Sequence, residues 1–258
     1  MVWIGRVCGA RAVAKSRDLG VVGTELPKGE SAGRGKSVTD EAVYARIYDT
    51  IVGQRLEPGT KLGEEALCEV FGISRAQIRR VFLNLAHAKL IELRPNHGAY
   101  VAQPSVREAR HVFEARRAVE AAILERAVDR LTDEKVAELK RLVREEHEAQ
   151  ERGDKETAIR LSGEFHLLLA RIAGNDVLLA FLQELVSRTS LIIATYSSGG
   201  TSGCSHGDHD TIVHSLEQAD ATAAIAAMHR HLRHIEGQLK LTSEPEPPVD
   251  FKAIFSGL

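Results

Sequence analysis

Between Ser105 and about Leu241 the apolar residues return again and again at helical spacing, and no alternating run reads as a strand. That pattern predicts an all-helical unit. Breaks fall at Thr132-Asp133, Gly153-Asp154, Gly174-Asn175 and from Ser197 to Gly207, and Asp220 can cap the last helix. About six helices of roughly 10–25 residues, joined by short breaks, predict an antiparallel bundle.

Upstream the pattern changes. Thr39 can cap a helix whose first turn holds Asp40 and Glu41, and Val43, Ile47 and Ile51 form its apolar stripe. Pro58-Gly59 marks a turn. A short helix fits Glu64 to Phe71, with Leu67, Val70 and Phe71 inward and Gly72 as its stop. Ser74 then caps a third helix in which Ile78, Val81, Phe82 and Leu85 share one face. Two helices about a Gly-containing turn are a helix-turn-helix. Leu90 to Leu93 and Ala99 to Ala102 flank Pro95-Asn96-His97-Gly98, which predicts a β-hairpin. The fold expected is mainly α: an N-terminal winged helix-turn-helix (three helices plus a short hairpin) followed by the bundle.

The divisions expected are a poorly ordered extension at 1–37, a winged helix at 38–104, the helical unit at 105–242 and a loose tail at 243–258. The first seventeen residues are basic and lack acids, which fits a transit peptide or a start codon placed too early. No run of 18 apolar residues occurs, so no membrane-spanning helix is expected. Aromatics are only 5%, which argues against an aromatic RNA-stacking platform. Cys8, Cys68 and Cys204 lie far apart, arguing against a disulfide scaffold or thiolate zinc site and for a reducing, cytoplasmic setting. Segment 38–104 carries eight basic and eight acidic residues, so local placement must decide whether it binds nucleic acid.

That placement is informative. Ser74, Arg75, Gln77, Arg79 and Arg80 sit near the start of the third helix, off its apolar stripe. A helix fits the major groove, where Arg can fork onto guanine and Gln can pair with adenine. His97 and Gly98 at the hairpin tip suit a wing against phosphate. The bland alternative is a small helical domain with a solvated basic face.

Pro58-Gly59-Thr60-Lys61-Leu62, Ile73-Ser74-Arg75-Ala76-Gln77-Ile78-Arg79 and Pro95-Asn96-His97-Gly98-Ala99-Tyr100-Val101 together resemble the GntR family of bacterial transcription regulators. The resemblance implies dimeric binding to palindromic operator DNA, with contacts from Ser74, Arg75, Gln77, Arg79, His97 and Gly98. Relatives usually have Thr-Pro where this chain has Ala76-Gln77, and Glu where it has Arg80. Those departures bear on operator sequence. Arg80 either touches phosphate or is solvated.

The helical unit contains His166, His209 and His231, one on each of three predicted helices. Neutral imidazoles converging from three helices suit Zn²⁺ or Ni²⁺, but spacing alone does not show convergence. Arg116-Arg117-Ala118-Val119-Glu120, Glu164-Phe165-His166, Ala173-Gly174-Asn175, Asp208-His209 and Met228 to Leu232 resemble the FadR/FCD subgroup. The resemblance implies a ligand-binding domain for small organic acids, with those three histidines as metal ligands. The fourth ligand of metal-binding members, an Asp, is replaced here by Ser162. Arg116 either clamps an effector carboxylate or pairs with Glu120 at i, i+4. His234 is expected behind the ligands and His229 in solvent. The function expected is an effector-modulated, homodimeric transcription regulator, not an enzyme. The alternative is a His-ligated hydrolase or lyase.

Overall fold

The computed structural model describes residues 38–197 and 207–242. The expected extension at 1–37, the tail at 243–258, Cys8, Cys204 and most of the Ser197–Gly207 break lie outside them.

Three helices open the described chain: α1 (Asp40–Val52), α2 (Glu64–Phe71) and α3 (Arg75–His87). Thr39 caps α1 by accepting from Ala42 N. Gly72 ends α2 at φ 64, the left-handed region a glycine occupies without a Cβ penalty. Val43, Ile47, Ile51, Ile78, Val81, Phe82 and Leu85 are all buried together, as their spacing predicts. Val70 departs from expectation. It is 76% exposed, because so short a helix turns only its Leu67 and Phe71 side toward the core.

The hairpin is part of a larger sheet. Strands β1 (Lys61–Leu62), β2 (Ile91–Arg94) and β3 (Gly98–Val101) form a three-stranded antiparallel sheet in the order β1-β3-β2. Lys61 pairs with Tyr100 and Leu62 with Ala99. Two residues carry no periodicity, which is why the sequence shows β1 only as part of a turn.

Six helices follow: α4 (Val106–Val128), α5 (Asp133–Glu151), α6 (Lys155–Ala173), α7 (Asp176–Tyr196), α8 (Asp208–Glu217) and α9 (Ala221–Gly237). Ser105, Thr132, Asp154, Asn175 and Asp220 each cap the helix that follows. The main core gathers Leu124, Leu139, Phe165, Leu169, Leu182, Met228 and Leu232, among others.

Helix α7 is long and apolar enough to cross a membrane by length and composition. Its apolar side chains instead enter three separate cores. Leu182 and Val186 join the bundle, Leu191 joins the winged helix, and Ile192 packs with Phe113 and Ile235. Polar contacts reinforce the junction: Tyr48 Oη and Ser187 Oγ are 2.6 Å apart, Ser190 Oγ donates to Val52 O, and Gln54 Nε2 donates to Ser190 O. One rigid helix therefore belongs to both units.

Candidate nucleic-acid interface and histidine cluster

The start of α3 is built by a capping box. Ser74 Oγ accepts from Gln77 N, and Gln77 Oε1 accepts from Ser74 N. Gln77 Nε2 also donates to Asp40. Its amide therefore holds the helix start here, a role that the sequence reading, which expected it to pair with adenine, did not assign to it. Arg75, Arg79 and Arg80 are exposed, each beside a carboxylate of its own module. Arg75 lies 3.4 Å from Glu65, Arg79 3.0 Å from Glu64 and Arg80 2.7 Å from Asp40. Neither reading of Arg80 anticipated Asp40. The Arg80 hydrogen bond comes first among the causes that hold the Asp40 carboxyl below its usual range.

His97 and Gly98 are exposed at the turn between β2 and β3, where Asn96 has φ 61 and Gly98 φ 96. Beside them Arg94 stacks on Tyr100, its guanidinium carbon 4.4 Å from the ring centroid, with Lys61 Nζ at 5.8 Å. These two cations flank the wing and were missed in the sequence because they belong to different strands.

In the bundle, α6, α8 and α9 bring His166, His209 and His231 together. All three are buried, at 2%, 2% and 0% exposure. One ring nitrogen from each lies within 4.8 Å of the other two, and the Nε2 atoms of His209 and His231 are 3.3 Å apart. Each Nδ1 faces a carboxylate: His166 with Glu120 at 2.6 Å, His209 with Glu146 at 2.7 Å, His231 with Asp208 at 3.3 Å. Phe165 stacks on the His209 ring at 4.1 Å.

Burial pushes the His166 pKa down to about 3, against the opposing pull of Glu120. Burial also works to raise Glu120, but Arg116 and His166 outweigh it and hold that carboxyl at about 2. Glu146 is likewise opposed by burial, yet lowered by its hydrogen bond with His209. Asp208 is lowered chiefly by its bond with His231. Glu146 and Asp208 were not singled out as partners in sequence. Asp208 adjoins His209, which gave a faint signal; Glu146 sits in a charge-rich helix and gave none.

Arg116 is 3% exposed, and its Nε donates to Glu120 Oε1 at 2.7 Å. The i, i+4 pair is therefore real, and Glu120 bridges Arg116 to His166. Ser162 lies half-buried one turn before His166. His234 is exposed and bonds to Gln238, which places it outside the cluster. A side chain one turn on from a ligand need not share its face when the helix end turns to solvent. His229 is half-buried, its Nε2 3.1 Å from Arg117 O, instead of free in solvent.

A winged helix with an exposed, arginine-bearing helix start, joined through a shared helix to a bundle with a buried polar centre, is the architecture of a DNA-binding transcription regulator. Comparison with known proteins agrees. Residues 39–101 match the family described as bacterial regulatory proteins, gntR family, and residues 111–234 match the FCD domain. The chain thus carries a gntR-family helix-turn-helix domain followed by an FCD domain, as transcription regulators of that kind do. It is 26% identical over 202 residues to the HTH-type transcriptional repressor RspR of Escherichia coli K12, covering 78% of this chain and 89% of that one. It is 27% identical over 235 residues to the Uxu operon regulator of Haemophilus influenzae, covering 81% and 87%. Among solved structures, E. coli McbR/YncC shares the fold with a TM-score of 0.68 at 18% identity, over 77% of this chain and 95% of that one. A putative GntR regulator from Rhodococcus sp. RHA1 does so at 0.66 and 19%, over 77% and 96%.

Proposed function

We propose that this regulator binds operator DNA as a cytoplasmic homodimer and senses a small organic acid at a divalent metal held by His166, His209 and His231. The observation that carries the metal is the paired arrangement of the rings. A proton on each Nδ1, donated to its carboxylate, leaves every Nε2 as a lone pair. Two such lone pairs 3.3 Å apart repel unless a cation stands with them. Carboxylate–histidine pairs of this kind orient metal ligands and raise their basicity. Charge supports the same reading. Glu120, Glu146 and Asp208 carry three negative charges against one from Arg116, and a divalent ion restores neutrality.

Zn²⁺ or Ni²⁺ in that place would supply a positive centre for an anionic effector. Ser162, a neutral hydroxyl where metal-binding relatives have Asp, leaves room for the effector's own oxygen. Arg116 supplies a second positive group one helical turn away. Arg75 and Arg79 read bases, while Ser74, Arg80, His97 and Gly98 lie toward the backbone. Effector binding reaches the winged helix through α7, whose Ser187, Ser190 and Leu191 contact α1 and the winged-helix core. A coupling of about 1–3 kcal/mol suffices for roughly 5–150-fold control of operator affinity. The hydrolase alternative leaves the DNA-binding module without a role.

The test is elemental analysis of tag-free protein together with melting curves at increasing zinc. Wild type should retain metal and melt higher with zinc. His209→Ala should lose both responses. Zinc-independent melting and metal-free wild type at neutral pH would overturn the metal reading.

A further inference from the structure

The small sheet of the winged helix has one face on the core and one in solvent. Leu62, Ile91, Ala99 and Val101 are buried in the same core as Ile47 and Ile78. Side chains alternate along a strand, so Lys61, Glu92, Arg94, Gly98 and Tyr100 share the opposite face. There Lys61 lies directly across from Tyr100 on one side of β3, and Arg94 directly across from Gly98 on the other.

The two cations differ in what already holds them. Arg94 donates from Nε and Nη2 to one oxygen of Glu92, at 3.2 and 2.9 Å, and rests against the Tyr100 ring. Arg75, Arg79 and Arg80 on α3 each face a carboxylate as well. Lys61 enters no ion pair among the described residues; its exposed ammonium has only the edge of the same tyrosine's reach, 5.8 Å from the ring centroid. Its stem runs beside the wing tip, where a Cβ added to Gly98 would stand 3.8 Å from Lys61 Cε. Gly98 has φ 96 and no side chain, so nothing at that position keeps a ligand away from the backbone.

From this we infer that Lys61, a residue of β1 outside both the base-reading helix and the hairpin, donates to a phosphate of the operator backbone at the wing tip, and that Tyr100 is the residue that positions it. The inference rests on the operator-binding reading given above and extends it. A lysine is a compact point charge without the planar fork that reads a base edge, which suits a phosphate oxygen. The contact forms without first breaking an ion pair, unlike those of the α3 arginines. Arg94 acts through the ring: tied to Glu92, it holds Tyr100 over the sheet, and the ring holds the lysine stem toward Gly98.

The test uses the full-length chain, a duplex it selects from a random pool, and copies of that duplex carrying a neutral methylphosphonate at one backbone position at a time. Lys61→Gln should weaken binding about tenfold, by a similar factor on every base sequence, and Lys61→Arg should restore most of it. Wild type should be sensitive to the methylphosphonate at one position in each half-site where Lys61→Gln is not. Tyr100→Leu should weaken wild type about two- to fivefold and add nothing to Lys61→Gln, while Tyr100→Phe, which keeps the ring, should bind as wild type does. Circular dichroism shows that each variant is folded; Lys61 is exposed, so its replacement leaves the core untouched. Unchanged binding by Lys61→Gln overturns the inference. So does a loss that depends on base sequence, or a methylphosphonate profile the same as that of wild type. Failure of wild type to select any duplex overturns the operator-binding reading instead, and this inference with it.

Discussion

Tyr48 and Ser187 share a 2.6 Å hydrogen bond across 139 residues of sequence, joining the first helix of the winged unit to the middle of α7. On α7, Ser187 directly follows Val186 and lies five residues after Leu182, both in the bundle core. A shift of α7 within the bundle must move this bond or break it. Tyr48→Phe should therefore leave DNA binding by the metal-free protein nearly unchanged, while reducing the change caused by zinc. Fluorescence anisotropy with a duplex selected from a random pool by the purified protein reads both. An unaltered zinc response would exclude this bond from the coupling route.

Glu146 offers a cleaner probe of the metal reading than a ligand deletion. Its carboxylate lies 2.7 Å from Nδ1 of His209, the ring nitrogen turned away from the His231 Nε2 contact. Glu146→Gln keeps an acceptor for the Nδ1 proton but removes the charge behind it. Competition with a zinc indicator should show affinity about 10–100-fold weaker. Unchanged affinity would assign Glu146 a packing role only.

Acid should weaken the metal-free fold. Glu120 moves from about 4.5 in an unfolded chain to about 2 when folded, and His166 from about 6.5 to about 3. Both folded values lie below the unfolded ones, so the unfolded chain takes up protons that the folded chain refuses. Stability is then fully present above about pH 6.5 and is lost as pH falls toward 3. In chelator-treated protein the urea midpoint should be lower at pH 4.5 than at pH 7. An equal or higher midpoint at pH 4.5 would contradict the buried assignment of this pair.

Arg75 is the test of base reading. It is well exposed at the first position of α3, and its partner Glu65 is also exposed, so the pair contributes little to the fold. Arg75→Ala should cost about 1–3 kcal/mol on the selected duplex and relax its sequence preference, with melting temperature unchanged. A uniform loss across all sequences would make Arg75 a phosphate contact instead.

The elements were legible where a period or a cap marks them. Val43-Ile47-Ile51 and Ile78-Val81-Phe82-Leu85 announced their faces, and Asp154, Asn175 and Asp220 announced helix starts. Strand β1 was not legible, because Lys61 and Leu62 become a strand only through Tyr100 and Ala99. The three histidines were visible as residues and through family likeness, but their convergence depends on how α6, α8 and α9 pack. Glu120, Glu146 and Asp208 show why partners are harder to find than ligands. Nothing local distinguishes a carboxylate that holds a ring from one that faces water. Gln77 is ambiguous for a related reason: an amide at the third position of a helix serves the cap as readily as a base.

The arginines of α3 already stand against Glu65, Glu64 and Asp40. In the proposed complex each guanidinium leaves its carboxylate for the DNA, and the freed carboxylates gather cations from solution. Fewer ions are then set loose overall than the number of arginines implies. Binding should weaken with rising ionic strength along a shallower line than for a helix whose cations start unattended. A search along the chromosome would accordingly depend less on the salt content of the cell.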